Sequence, residues 1–518
     1  MDGSIMPSES SVPDALAIAE LAGLSQIEYD RVRDATAARL GIRVSTLDAE
    51  VKKACAVLSN HEDHQPPAFT DEALALQFSA QYAHTLRYVA AWGKWYQWTG
   101  KAWEADQTIQ TYDRARTICR EASAMCNDTN IAIGIAKAQT VAAVERLARA
   151  DRRHAATVEQ WDADHWLLNT PGGVVDLRVG RMRAHRPDDH MTKVTAVAPG
   201  GVCPMWEAFL QKITNNDEEL QKFLQRVAGY SLTGSTREHA LFFGYGTGGN
   251  GKGVYLNTIT GIMGGYATVA SIDTFTASST DRHPTDLAML RGARLVTAQE
   301  TEEGRKWAES RIKAMTGGDP ITARFMRQDF FTFLPAFKLF IAGNHKPGLR
   351  NVDDAIRRRF NLIPFAAKIA AGERDPELPE KLKEEWPGIL KWAIAGCLDW
   401  QANGLNPPSC VTAATNEYFE AEDAFGQWFA ECCVETKSVV TASSTLFKSW
   451  TTWAEQAGEH AGSQKRFSQS LIARGFEATR IDNGPDKGKA AFKGITAAIV
   501  VNQPRSSNYY NDDPGPSE

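Results

Sequence analysis

The stretch Leu241-Phe242-Phe243-Gly244-Tyr245-Gly246-Thr247-Gly248-Gly249-Asn250-Gly251-Lys252-Gly253-Val254-Tyr255-Leu256 decides how the rest of the sequence is read. Leu241 to Phe243 have the composition of a buried strand, and Val254 to Leu256 open a helical continuation. Between them, Gly246 to Lys252 fits GxxxxGK. Backbone N–H groups freed by glycine can wrap a phosphate, the helix N-terminus adds positive potential, and the lysine supplies a point charge. By composition the spacing recurs in roughly one chain in six or seven of this length. The strand before it and the helix after it therefore carry the weight against a glycine-rich surface turn. The candidate nucleotide-binding residues are Gly246, Thr247, Gly248, Gly249, Asn250, Gly251, Lys252 and Gly253. Gly253 stands where such loops usually have a Ser or Thr hydroxyl for magnesium. A water or another side chain has to fill that place.

Working outward, Arg294 to Glu300 read as a second buried strand. An acid at such a strand end can hold the water shell of a metal and polarise the attacking water, which makes Glu300 the candidate for Mg2+, held through water. Glu302 and Glu303 read as a solvated turn, and Gln299 occupies the position of a first acid. A third strand, Phe337 to Ala342, ends in Gly343-Asn344-His345. Asn344 is placed to orient water or sense the γ-phosphate. Arg357-Arg358-Arg359 follow, and an arginine offered across a subunit boundary stabilises transition-state charge on phosphate. Between the second and third strands, Lys313 to Phe333 read as a helix end, a tight turn and a hairpin. There Arg324 and Arg327 can touch phosphates or form salt bridges. Upstream, Trp206, Phe209, Leu210 and Ile213, then Leu220, Phe223, Leu224 and Val227, form two helical stripes.

This set, in this order, resembles the superfamily 3 helicases, and more closely the phage and plasmid primase-helicase family that includes the poxvirus primase-helicase. The residues that carry the resemblance are Gly246–Gly253, Leu295–Glu300, Lys313–Arg324, Phe337–Pro347 and Asp353–Phe360. Leu167–Pro187 resembles the domain that precedes the helicase in that family. The resemblance implies a multidomain α/β chain with an AAA+ P-loop ATPase core, an N-terminal α+β helicase-associated domain and a C-terminal winged helix. It implies a homo-oligomeric ring, a hexamer, that binds ATP and Mg2+ and draws single-stranded DNA through its pore, usually 3′ to 5′. Lys252, Glu300, Asn344, Arg358 and then Arg359 would be the catalytic set, and Lys313, Arg324 and Arg327 would grip the strand. A host primase or replisome is the implied partner, and the cytoplasm of a bacterial host the implied location.

The remaining sequence sets boundaries. The 518 residues carry a net charge of −6, with 43% hydrophobic and 23% charged residues, a globular composition that leaves room for about three domains. No apolar run is long enough to span a membrane, and Met1-Asp2-Gly3-Ser4 opens no signal peptide. The eight cysteines form no CxxC pair and read as reduced thiols. Residues 1–70 read as a helical segment and linker, with Ser25 and Glu28 at capping-box spacing. His61, Glu62, Asp63 and His64 in the linker lack a helix to hold them as metal ligands. Residues 71–204 read as the α+β domain, where Trp92, Trp95, Trp98 and Trp103 are expected in a core rather than on a base-stacking surface. Residues 1–70 are too short for a polymerising domain, so no primase activity is expected. Residues 205–400 hold the ATPase and 420–500 the winged helix, with a polar tail at 501–518. Across Ser463–Lys493 basic residues exceed acidic ones by four, and Lys465, Arg466, Arg474, Lys487 and Lys489 are candidates for duplex DNA. A helicase is the leading reading. A non-hydrolysing origin-binding or recruitment ring, and an ATP-driven translocase that does not unwind, are the alternatives.

Overall fold

The computed structural model describes residues 11–24, 26–62, 66–277, 285–299, 304–349 and 352–497. The chain divides into two units, Met1–Thr99 with Trp103–Gln160, and Gly100–Ala102 with Trp161–Glu518. In the first, helices Ser11–Ala22, Gln26–Leu40 and Val44–Glu62 close on Leu21, Tyr29, Ala37, Leu47 and Val51. The third helix runs through His61 and Glu62, so this pair is helical and not part of a linker. Ser25, Asp63 and His64 lie outside the described residues. Among the described residues no group of three His, Cys, Asp or Glu could hold a metal.

Further along this unit, helices Asp71–Tyr82, Gln110–Met125 and Ala138–Ala150 bury Leu74, Phe78, Ile118 and Val144. Leu86–Val89, Lys94–Trp98 and Trp103–Ala105 form an antiparallel sheet. The tryptophan-rich stretch does supply core: Trp95 and Trp103 are buried, and Trp95 Nε1 donates to the buried Glu145 carboxylate. Trp92 and Trp98 are half-buried.

Residues 161–204, grouped from the sequence with the preceding domain, join the second unit instead. Strands Leu167–Thr170, Gly173–Asp176 and Arg181–Arg183 make a small antiparallel sheet. It sends Leu168 and Val175, with Leu177 beyond it, into the core shared with Trp206, Phe223 and Phe242.

The second unit continues with helices α1 (Pro204–Ile213) and α2 (Glu218–Leu232), whose two apolar stripes are buried as their spacing predicts. Then come β1 (Leu241–Tyr245), α3 (Lys252–Met263), β2 (Ala267–Val269), β3 (Leu295–Gln299) and α4 (Glu309–Gly317). A hairpin of β4 (Ile321–Ala323) and β5 (Phe331–Phe333) leads to β6 (Lys338–Gly343), α5 (Asp354–Arg357) and β7 (Phe360–Pro364). Helices α6 (Leu378–Glu384), α7 (Trp386–Asn403) and α8 (Ser409–Glu422) follow. Five strands form one parallel sheet in the order β7-β1-β6-β3-β2. Both faces are covered, so β1 and β6 read as continuous apolar runs and not as alternation. Phe242 and Phe340 enter one core, and Leu241, Phe243, Leu339 and Ile341 enter the other.

Two buried cations tie the N-terminal edge of this sheet to its surroundings. Arg294 donates from Nη1 to Leu232 O at 2.7 Å and from Nη2 to Leu167 O at 2.8 Å, and it lies over the Tyr266 ring. Lys338 donates to Thr233 O. Both meet carbonyls at the C-terminal end of α2, where the helix dipole favours positive charge. Burial pulls both side chains below their ordinary values. Helices α2 and α7 cross at glycines. A Cβ built on Gly229 would lie 2.1 Å from the backbone nitrogen of Cys397, and one on Gly396 would lie 2.1 Å from Gln225 O.

The C-terminal part runs α9 (Ala424–Cys432), β8 (Cys433–Ala442), α10 (Ser443–Gln456), α11 (Gln464–Ala473), β9 (Ala478–Arg480) and β10 (Ala490–Ala497). Its sheet has the order β8-β10-β9 and its own core of Trp428, Leu446, Trp450, Phe467 and Ile495. Three helices were expected here, but β8 between the first two was not. Residues 498–518, including the expected polar tail, lie outside the described residues. No helix among the described residues is long and apolar enough to cross a membrane.

Candidate active site

The glycine loop leaves the C-terminal end of β1 and enters α3. Parallel strands deliver their C-terminal ends to one edge, and Asn344, which follows β6, arrives beside the loop for that reason. Lys252, the first residue of α3, donates from Nζ to Gly246 O at 2.9 Å and to Asn344 Oδ1 at 2.7 Å. The loop lysine and the strand-end asparagine picked from the sequence are therefore in contact. Partial burial pulls the Lys252 ammonium below its ordinary value.

The loop is held from below. Asn250 is buried and donates from Nδ2 to Phe365 O at 2.8 Å, the carbonyl just past β7. Gly251 sits at φ +84°, and a Cβ there would fall 2.3 Å from Ile213 Cγ2 and 3.1 Å from the Phe209 ring. The α1 stripe thus forms the underside of the loop. Gly253 is different: a Cβ there would meet nothing within 4 Å. The missing hydroxyl is not excluded by packing.

On the metal side, Gln299 Nε2 donates to Asn257 Oδ1 at 2.7 Å. Two neutral amides thus pair at the end of β3. Glu300, the candidate acid, and Glu302 and Glu303 lie outside the described residues. The donor set fits a nucleotide phosphate through the loop N–H groups and Lys252. For Mg2+ the sequence offers Glu300, the residue after β3.

The three arginines after α5 separate. Arg357 lies over the Phe419 ring at 5.4 Å. Arg359 is buried within its own chain, donating from Nε to Thr316 Oγ1 at 3.1 Å and from Nη1 to Ala355 O. An inward guanidinium cannot reach a neighbouring subunit, so Arg359 does not fit the part of second finger. The Arg358 side chain is exposed, with no hydrogen bond or ion pair of its own among the described residues.

Of the strand-gripping candidates, Lys313 pairs with Asp353 at 2.5 Å, and Asp353 caps α5 through the Ile356 N–H. Arg324 packs over the Phe330 ring at 4.5 Å. Arg327 is exposed at the hairpin tip. In the C-terminal part, Lys465 and Arg466 are exposed on the first turn of α11, and Lys487 and Lys489 on the β9–β10 connection. Lys489 pairs with Asp486 at 2.6 Å. Arg474 is taken up internally: it pairs with Asp423 and lies over Phe425 and Phe429. Phe365, Asn257 and the Arg374 guanidinium against Gly249 were not foreseen. Asn257 lies on α3 itself, five residues on from Lys252, whereas Phe365 and Arg374 come from the chain after β7, far from the loop in sequence.

Residues 75–215 match the family model described as D5 N terminal like. Residues 244–359 match a family of unknown function, DUF5906. A protein of Acanthamoeba polyphaga mimivirus named "Putative helicase L207/L206" is 25% identical over 311 residues, which is 55% of this chain and 32% of that protein. A protein of like name from Frog virus 3 (isolate Goorha) is 26% identical over 261 residues, 45% of this chain and 26% of that one. The chain thus spans about a third or less of the length of these relatives. Among solved structures, the apo structure of the NrS-1 C terminal region (305-718) aligns over 83% of this chain and 100% of that one, at 11% identity and TM-score 0.42. A D5-like region ahead of the loop-bearing region, and helicase-named relatives from two viruses, support a phage or viral primase-helicase family for this chain.

Proposed function

We propose that the chain is an ATP-driven DNA helicase motor for replication of a virus, phage or integrated element. The observation that carries this reading is the contact of Lys252 with both Gly246 O and Asn344 Oδ1 at the C-terminal edge of a parallel sheet. A γ-phosphate entering the loop would exchange for these partners of the ammonium and leave Asn344 free to orient water. The strand order supports an AAA+ core, because the strand bearing Asn344 lies between the loop strand and the strand leading to Glu300. ATP would supply the phosphoryl group, and Glu300 would hold an Mg2+, through water, that would neutralise its charge. Arg358, exposed and unpaired, suits a finger offered to a neighbouring subunit of a homo-oligomeric ring, taken as a hexamer. Arg327 and Arg324 on the hairpin, with Lys313 behind them, suit contacts to single-stranded DNA in the ring pore. The helix-strand-helix-helix-strand-strand order of the C-terminal part supports a winged helix, with Lys465, Arg466, Lys487 and Lys489 toward duplex DNA and Arg474 as its internal staple.

A second reading, a ring that binds DNA without hydrolysis, is favoured by Gly253 and by the neutral Gln299–Asn257 pair. Turnover separates the two. ATP hydrolysis is measured for the native chain and Lys252→Ala, with and without single-stranded DNA, and strand displacement is measured alongside. Turnover that rises with DNA and falls at least about a hundredfold in Lys252→Ala is expected. A folded native chain without turnover, with DNA and Mg2+ present, would sink the motor. Turnover without displacement would leave a translocase.

A further inference from the structure

We propose that Arg374 is a nucleotide-phosphate ligand, supplied by the same subunit that supplies the glycine loop. The inference rests on the nucleotide-binding reading of that loop and adds a residue to it. After β7 the chain turns back over the loop. A Cβ built on Gly249 would fall 2.5 Å from Arg374 Nη2 and 2.7 Å from Cζ, so the guanidinium occupies the place of a side chain at Gly249. Its Nε donates to Ile369 O at 3.0 Å. Its terminal nitrogens have no carboxylate partner among the described residues.

The acids flanking it are engaged elsewhere. Glu373 pairs with Lys212 of α1 at 2.9 Å, and Asp375 pairs with Lys381 of α6 at 2.7 Å. These pairs hold the segment at both sides of Arg374 and leave its charge uncompensated. Lys252, on the same loop, meets only a carbonyl and an amide oxygen. Two cations against one short glycine loop suit an anion with several oxygens. A guanidinium fork fits two phosphate oxygens where an ammonium meets one. The chemistry is that of a nucleoside polyphosphate. Arg374 also supplies positive charge on the loop side where Gly253 and Gln299 withhold ligands on the metal side.

The test is the affinity of the full chain for a fluorescent non-hydrolysable ATP analogue and for fluorescent ADP, measured for native, Lys252→Ala, Arg374→Ala and Arg374→Lys. Ligand-free melting temperatures are read in parallel. Arg374→Ala is expected to weaken the triphosphate by about ten- to a hundredfold, with an unchanged melting temperature because the residue is exposed. Arg374→Lys is expected to recover part of the loss. If Lys252→Ala loses binding while Arg374→Ala binds as the native chain does, the proposal for Arg374 fails and the loop reading stands. If the native chain binds neither nucleotide, both fail. A lowered ligand-free melting temperature in Arg374→Ala, with nothing recovered by lysine, would assign the residue to holding the segment and overturn the proposal.

Discussion

Gly251 and Gly253 sit two residues apart in the loop under opposite constraints. Gly251 has a left-handed backbone and no room for a Cβ beside Ile213, whereas Gly253 opens to free space at the start of α3. Gly251→Ala should therefore cost about 1–3 kcal/mol in urea unfolding and abolish turnover. Gly253→Ser should stay within about 0.5 kcal/mol of the native chain and lower the Mg2+ concentration needed for half-maximal turnover. An unchanged Mg2+ requirement would mean that the serine hydroxyl does not reach the metal. Lys252 and Asn344 were legible in the sequence because each sits at a fixed offset from a strand that is itself plain to read. Arg359 and Arg474 were not, since arginines held within the chain and arginines free to meet a partner look alike in a sequence. Only Thr316 and Ala355 for the one, and Asp423 for the other, decide which way the guanidinium points.

Among the elements, β1, β3 and β6 could be read directly because a strand buried on both faces is a short unbroken apolar run. The stripes of α1 and α2 could be read from their helical period. β8 escaped because Glu435, Thr436, Lys437 and Ser438 interrupt any apolar pattern along it. The crossing of α2 with α7 also left no trace, as Gly229 and Gly396 lie in helices far apart in sequence. Their backbones approach where neither carries a side chain. Gly229→Ala should force the two helices apart and destabilise the second unit by at least about 3 kcal/mol. Chemical denaturation followed by tryptophan fluorescence would report it through Trp400 of α7. A variant that unfolds at the native midpoint would mean that the helices separate at little cost.

At the scale of the whole molecule, the grouping of residues 161–204 with the second unit could not be read from the sequence. Leu168, Val175 and Leu177 look like any sheet residues until Trp206 and Phe223 are seen to receive them. The C-terminal part has its own core and its own basic surface, so its contribution should separate from that of the glycine loop. Replacing Lys465 and Lys487 together by alanine should weaken duplex binding and make the slope of log affinity against log salt shallower by about two. ATP turnover in the absence of duplex should not change. An unchanged salt slope would place the duplex elsewhere.

Strand β7 has one more consequence. Arg358 lies just before it and the Phe365 carbonyl that holds Asn250 lies just after it. An extended strand advances about 3.3 Å per residue and yields little along its length, so the strand is a stiff rod with a different duty at each end. In a ring, a pull on Arg358 from the adjoining subunit's nucleotide would travel down this rod to the floor of the subunit's own loop.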